Sequence, residues 1–143
     1  MMSEYKNILV AVDGSDNAQK GFEEAVKLAR NNNSQLHITW IINDAELTYS
    51  AYAFSKLFNA EKDYVEKEML KKIHDALELG VKKCESFIEV GNPKKMIVDY
   101  AKVNNIDLIV MGATGKGAIE RTLVGSTTTY VVNHASCNVM VVR

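Results

Sequence analysis

Asp107-Leu108-Ile109-Val110-Met111-Gly112-Ala113-Thr114-Gly115, followed after nine residues by Gly125-Ser126-Thr127-Thr128, is the stretch from which the architecture can be read. Its apolar part predicts a strand over 107–111, unbroken as a strand covered on both faces must be. A helix-like run, Thr127 to Ala135, begins where the glycines end. Glycines just past a strand permit a sharp turn and bare their N–H groups to an anion. A helix N-terminus behind them adds unpaired donors and the positive end of a dipole. Ser126, Thr127 and Thr128 put hydroxyls beside those donors. These are the parts of a phosphate cradle, although a lone pair of glycines in such a place can also serve only the turn.

Working outward, strand and helix patterns alternate with little left over. Lys6 to Val12 reads as a first strand, and Asp13-Gly14-Ser15-Asp16 as turn and helix-cap chemistry. Residues 17–31 carry Ala18, Phe22, Ala25, Val26 and Ala29 at helical spacing, stopped by Asn31-Asn32-Asn33. Leu36 to Ile42 is a second strand. Residues 43–59 hold aromatics without a clean period and read as a long connection with short helical pieces. A second helix is expected from Ala60 to Leu79, with Val65, Met69, Ile73, Ala76 and Leu77 as its apolar stripe and Gly80 as its stop. A third strand (83–90) precedes Gly91-Asn92-Pro93, where Asn92 caps a third helix (93–104) and proline takes its first position. Asn138 to Val142 is the last strand. The order β-α-β-α-β-α-β-α-β, with right-handed crossovers, predicts a single α/β domain over 1–143, an open parallel sheet with helices on both faces.

Composition bounds the function classes. The chain has 143 residues, 47% apolar and 24% charged, which suits one ordinary globular domain. Seventeen basic against eighteen acidic residues leave no electrostatic footprint for nucleic acid or an anionic membrane. The pairs Lys71-Lys72, Lys82-Lys83 and Lys94-Lys95 sit among acids and read as solvated. No apolar run reaches the ~18 residues of a membrane span, and no signal-peptide pattern opens the chain. Two distant cysteines, Cys84 and Cys137, read as reduced, buried thiols, so a cytoplasmic location is expected.

In an open parallel sheet, ligands sit beyond the carboxyl ends of the strands, where the winding reverses. Asp13-Gly14-Ser15 and the glycine loop both follow strands. If strands one and four are neighbours, the two loops face one another. Asp13 is then placed for a ribose hydroxyl or a phosphate-bound metal, and equally for capping the first helix. A P-loop, a G-x-G-x-x-G fingerprint, zinc-ligand spacing and a G-x-S-x-G elbow are all absent from the sequence. His37, His74, His134 and Trp40 read as structural.

With these residues in place the chain resembles the universal stress protein family over nearly its whole length. The resemblance is carried by NILVAVDGS, GNPKKMIVDYAK, IDLIVMGATGKG and LVGSTTTYVVNHASCNVMVVR. The signature G-x2-G-x9-G-[ST] is met by Gly112, Gly115, Gly125 and Ser126. The resemblance implies a Rossmann-like sheet of the adenine nucleotide α-hydrolase type in the order 3-2-1-4-5. It implies ATP, or ADP or AMP, with Mg or Mn. Phosphates would lie over Gly112, Ala113, Thr114, Gly115, Lys116, Gly117 and Ala118 and over Ser126, Thr127 and Thr128. Asp13 would lie near the ribose and backbone around Ala11 and Ile41 near the adenine, with Val12 and Met111 also among the nucleotide-binding residues. A homodimer through Asn138–Val142 is also implied, which fits an apolar edge strand in need of cover. Relatives often carry proline at 138, arginine at 116 and histidine at 40; here these are Asn138, Lys116 and Trp40.

The function so implied is a nucleotide-binding stress-response or regulatory protein with little or no turnover, since no general base is evident for attack on a γ-phosphate. A slow ATPase or nucleotidyl-transfer enzyme is the first alternative, and a nucleotide-free dimeric interaction module the second. The loop after strand one, Asp13-Gly14-Ser15-Asp16, speaks against the enzyme, and the retained glycines against the module.

Overall fold

A computed structural model of the chain describes residues 5–44, 51–114 and 123–143, without the side chains of 51–55 and 57. The elements are β1 (Asn7–Ala11), α1 (Asp16–Asn32), β2 (Gln35–Asn43), α2 (Ala51–Glu78), β3 (Lys83–Gly91), α3 (Pro93–Val103), β4 (Leu108–Gly112), α4 (Ser126–His134) and β5 (Asn138–Val142). The five strands form one sheet in the order β3-β2-β1-β4-β5, and every neighbouring pair is parallel. The expected fold class and strand order are therefore observed.

Strand alternation assigns the two layers. Ile8 and Val10 of β1, Leu36, Ile38, Trp40 and Ile42 of β2, and Leu108 and Val110 of β4 point to one face. There they meet Ala18, Phe22, Ala25, Val26 and Ala29 of α1 and Val65, Met69 and Ala76 of α2. Leu9, Ile41, Ile109 and Met111 point the other way, against Ile97, Val98 and Ala101 of α3 and Val131 of α4. Residues two apart in a strand share a face, so one nearly continuous apolar run serves two cores.

Local chemistry sets the helix ends. The Ser15 hydroxyl accepts from the Ala18 N–H at 3.2 Å, and Asn92 Oδ1 accepts from the Lys94 N–H at 3.1 Å. Pro93 opens α3, where a missing N–H is harmless. Asn33 (φ 55°) closes α1 in the left-handed conformation, and Gly80 (φ +105°) follows α2 in a backbone region favourable to glycine.

Three expectations need correction. The span 43–59 is not merely a connection, because α2 already begins at Ala51. Extending an existing helix costs far less than nucleating one, so the amphipathic segment carries its turns backward through residues of adequate propensity such as Ala53, Lys56 and Ala60. Residues 45–50 lie outside the described residues. Leu77 does not join the buried stripe of α2: it is exposed beside the fully buried Ala76. Lys71 is solvated, 3.3 Å from Glu68, but Lys72 is not. Its Nζ donates to Gln19 Oε1 at 2.5 Å and stands 5.0 Å over the Phe22 ring. Burial lowers the Lys72 pKa, with Glu68, Asp75 and Glu23 acting in the opposite direction.

Candidate functional site

The order 3-2-1-4-5 reverses its winding between β1 and β4, so their carboxyl ends stand side by side with a crevice beyond them. A cavity of about 290 Å³ occupies that crevice. Ala11, Val12 and Asp13 border it from the end of β1, and Ile41 from β2. Met111, Gly112 and Thr114 border it from β4, and Gly125, Ser126, Thr127 and Thr128 from the start of α4. Eleven of the sixteen residues singled out in the sequence thus meet in one cavity. Ala113 lies behind the wall, buried; its N–H donates to the Val142 carbonyl and its carbonyl accepts from the Gly125 N–H, both at 2.7 Å. Those two bonds hold β5 and the start of α4 against β4. Gly115, Lys116, Gly117 and Ala118 lie outside the described residues.

The cavity has one end built for an anion. Gly125 is the N-cap of α4 (φ −64°, ψ 161°), and Thr129 is the first residue whose N–H returns to it, at 2.9 Å. The N–H groups of Ser126, Thr127 and Thr128 therefore lack partners within the helix, and the three residues line the cavity at the positive end of the dipole. The hydroxyls divide differently from the sequence expectation. Thr128 is buried and donates its hydroxyl to the Gly112 carbonyl at 2.8 Å, so it offers a ligand only its backbone. Thr114 Oγ1 accepts from the Asn17 side-chain amide.

Gly112 also serves another purpose than a sharp turn. It is the last residue of β4, paired with Val142, and its φ is not positive. A Cβ on Gly112 would stand 2.6 Å from the Asn17 carbonyl oxygen and 3.0 Å from the Ala18 nitrogen. The first turn of α1 crosses the end of β4 too closely for any side chain. Asp13 is held beside that turn, its Oδ1 accepting from the Ser15 N–H at 2.9 Å. Ser15, not Asp13, supplies the cap to α1.

The sequence reading did not assign the other end. Ala18, Thr39, Ile42 and Asn43 line the cavity, as do Pro93 and Ile97 of α3 and Glu61 of α2. The α3 residues were within reach of topology, because the loop after any strand of a parallel sheet opens on the carboxyl edge. Glu61 carried no such signal, since its helix was expected to start next to it. Trp40, noted as a departure, lies on this wall too, buried and edge-on to Tyr64 at 6.3 Å between ring centroids. Tyr49 and the side chain of Tyr52 lie outside the described residues.

At the opposite edge His37 is buried, its Nδ1 2.9 Å from the Tyr100 hydroxyl and its Nε2 3.2 Å from Asn7 Oδ1. Burial lowers its pKa from 6.5, partly offset by Glu85. His74 and His134 are exposed on α2 and near the end of α4. Cys84 and Cys137 are half-buried thiols without a disulfide, and burial with Glu85 pushes Cys84 up to about 11. Among the described residues no helix is long and apolar enough to cross a membrane.

Residues 4–143 match the family model described as the universal stress protein family. The chain belongs to that family. A protein named as a universal stress protein in Staphylococcus epidermidis is 40% identical, the match covering 99% of this chain and 86% of that one. The universal stress protein UspA from Lactobacillus plantarum is 40% identical and superposes with a TM-score of 0.90 over 97% of this chain and 98% of its own. Two more distant members share the fold. A universal stress protein solved in complex with cAMP has 24% identity and a TM-score of 0.72, covering 97% of each chain. A family protein from Arabidopsis thaliana with AMP bound has 22% identity and a TM-score of 0.71, covering 96% of this chain and 90% of that one.

Proposed function

We propose that this universal stress protein binds ATP, or ADP or AMP, in the cavity at the β1/β4 switch point and acts as a cytoplasmic regulatory or stress-response homodimer with little or no turnover. One observation carries the reading: the first three residues of α4, whose N–H groups have no partner within the helix, line the same cavity as Asp13. Phosphates suit the helix end, and a carboxylate acceptor suits a ribose hydroxyl. Two family members with the same fold hold cAMP and AMP, which supports an adenine nucleotide as the ligand class. Magnesium or manganese would arrive on the phosphates, with Asp13 as the nearby protein carboxylate. Among the described residues no group of three or more His, Cys, Asp and Glu forms a metal site of its own. The homodimer reading rests on β5, an edge strand whose Val139, Met140, Val141 and Val142 are only partly covered within the chain. The domain carrying these roles spans residues 1–143.

The test is to denature purified protein and run the soluble fraction on anion exchange, with titration calorimetry of the nucleotide-stripped chain against ATP. Adenine nucleotide in the extract, or saturable ATP binding at one site per chain, is the expected result. Neither outcome occurring would sink the proposal. Sedimentation of the same sample reads the dimer separately.

A further inference from the structure

The cavity is electrostatically two-ended. Unpaired helix donors gather at the β4 side, whereas the β2 side presents Ile41, Ile42, Pro93 and Ile97 with one carboxylate, Glu61. β2 and β4 are separated by β1, which puts the two ends about 10 Å apart at ordinary strand spacing. The position of Glu61 follows from its own helix. Val65, one turn on, is fully buried in the cluster that contains Trp40 and Ile42, and Tyr64 meets the Trp40 ring. Glu61 therefore stands one turn further out, above the carboxyl end of β2.

Its carboxylate has no hydrogen bond or ion pair with another described residue; the adjacent Lys62 lies instead over the Phe58 ring at 5.8 Å. A partly covered carboxylate beside apolar walls is satisfied only by a donor, and it repels both phosphate and carbonyl oxygen. A phosphate group is thus directed to α4 and the flat apolar part of a ligand to the β2 side.

We infer that Glu61 is the residue by which this pocket distinguishes a 6-aminopurine from a 6-oxopurine, its carboxylate accepting a proton of the exocyclic amine. The inference rests on the nucleotide-binding reading above. In the same pose a 6-oxopurine places its carbonyl oxygen against the carboxylate, acceptor facing acceptor. Replacing the carboxylate with an amide supplies a donor and removes that conflict.

The experiment is titration calorimetry of the nucleotide-stripped full chain, wild type, Glu61→Gln and Glu61→Ala, against ATP and ITP, with melting curves for each protein. Glu61 is partly exposed, so both variants are expected to melt close to wild type. Wild type is expected to favour ATP over ITP by at least tenfold, and Glu61→Gln to reduce that ratio by tenfold or more, with Glu61→Ala between them. An unchanged ratio, or equal gains for both nucleotides, overturns the inference alone: Glu61 would then not read the 6-position of the purine. Failure of wild type to bind either nucleotide overturns the nucleotide reading and this inference with it.

Discussion

Gly112→Ala isolates the packing role of a glycine that the sequence presents as part of an anion loop. The added Cβ would lie 2.6 Å from the Asn17 carbonyl oxygen, 2.7 Å from its carbon and 3.0 Å from the Ala18 nitrogen. All three are backbone atoms, so no rotamer change relieves them, and α1 must retreat by roughly 0.5 Å or more to reach ordinary contact. Backbone strain does not enter, because Gly112 has no positive φ. Overpacking of this kind costs about 1–3 kcal/mol. With 2 kcal/mol as the central value, Tm falls by about 4–8 °C for a domain near this size. Gly21→Ala is the internal control from across the same contact. Its Cβ would stand 3.3 Å from the Gly112 nitrogen, a milder approach, while alanine in a helix interior gains about 1 kcal/mol over glycine. Urea and thermal unfolding of the two variants should therefore rank Gly112→Ala well below Gly21→Ala, the latter near wild type. If Gly112→Ala melts within a degree of wild type, or no lower than Gly21→Ala, the close crossing of α1 over β4 is not what requires the glycine.

Three further expectations concern buried polar groups. Thr128→Val keeps the shape but removes the donor to the Gly112 carbonyl, and urea titration should show a loss of about 1–3 kcal/mol. His37 has a folded pKa below its ordinary 6.5, so the unfolded chain takes up protons more readily. The stability held by the neutral imidazole is then complete above pH 6.5 and declines as pH falls through 6.5 toward the folded pKa. A His37→Gln variant is expected to show a flatter Tm profile between pH 7.5 and 5.5, and equal slopes would refute the assignment. Cys84, pushed up to about 11, carries little thiolate at pH 8. Disulfide-exchange reagents should modify Cys84 at least tenfold more slowly in the native Cys137→Ser protein than after unfolding in urea.

The order of elements, the cap at Asn92, the proline opening α3 and the parallel sheet were all legible in the sequence, whereas which residue of 13–16 caps α1 was not. Each depends on interactions within a few residues or on a short apolar period, and these survive without tertiary context. The glycine spacing likewise marked the β4–α4 junction and, by family resemblance, the kind of ligand. Tertiary structure decided what those residues do. Gly112 is required by a helix almost a hundred positions earlier, and the Thr128 hydroxyl is spent on a carbonyl rather than offered to a ligand. The β2 side of the cavity was hidden for the same reason: Glu61 reaches it because the next turn of α2 packs Val65 and Tyr64 against Trp40 and Ile42 of β2. Local chemistry acts through neighbours in sequence and can be read along the chain. A pocket wall is assembled from strands paired across long separations and from the helix packed on them, and only the packed fold brings those together.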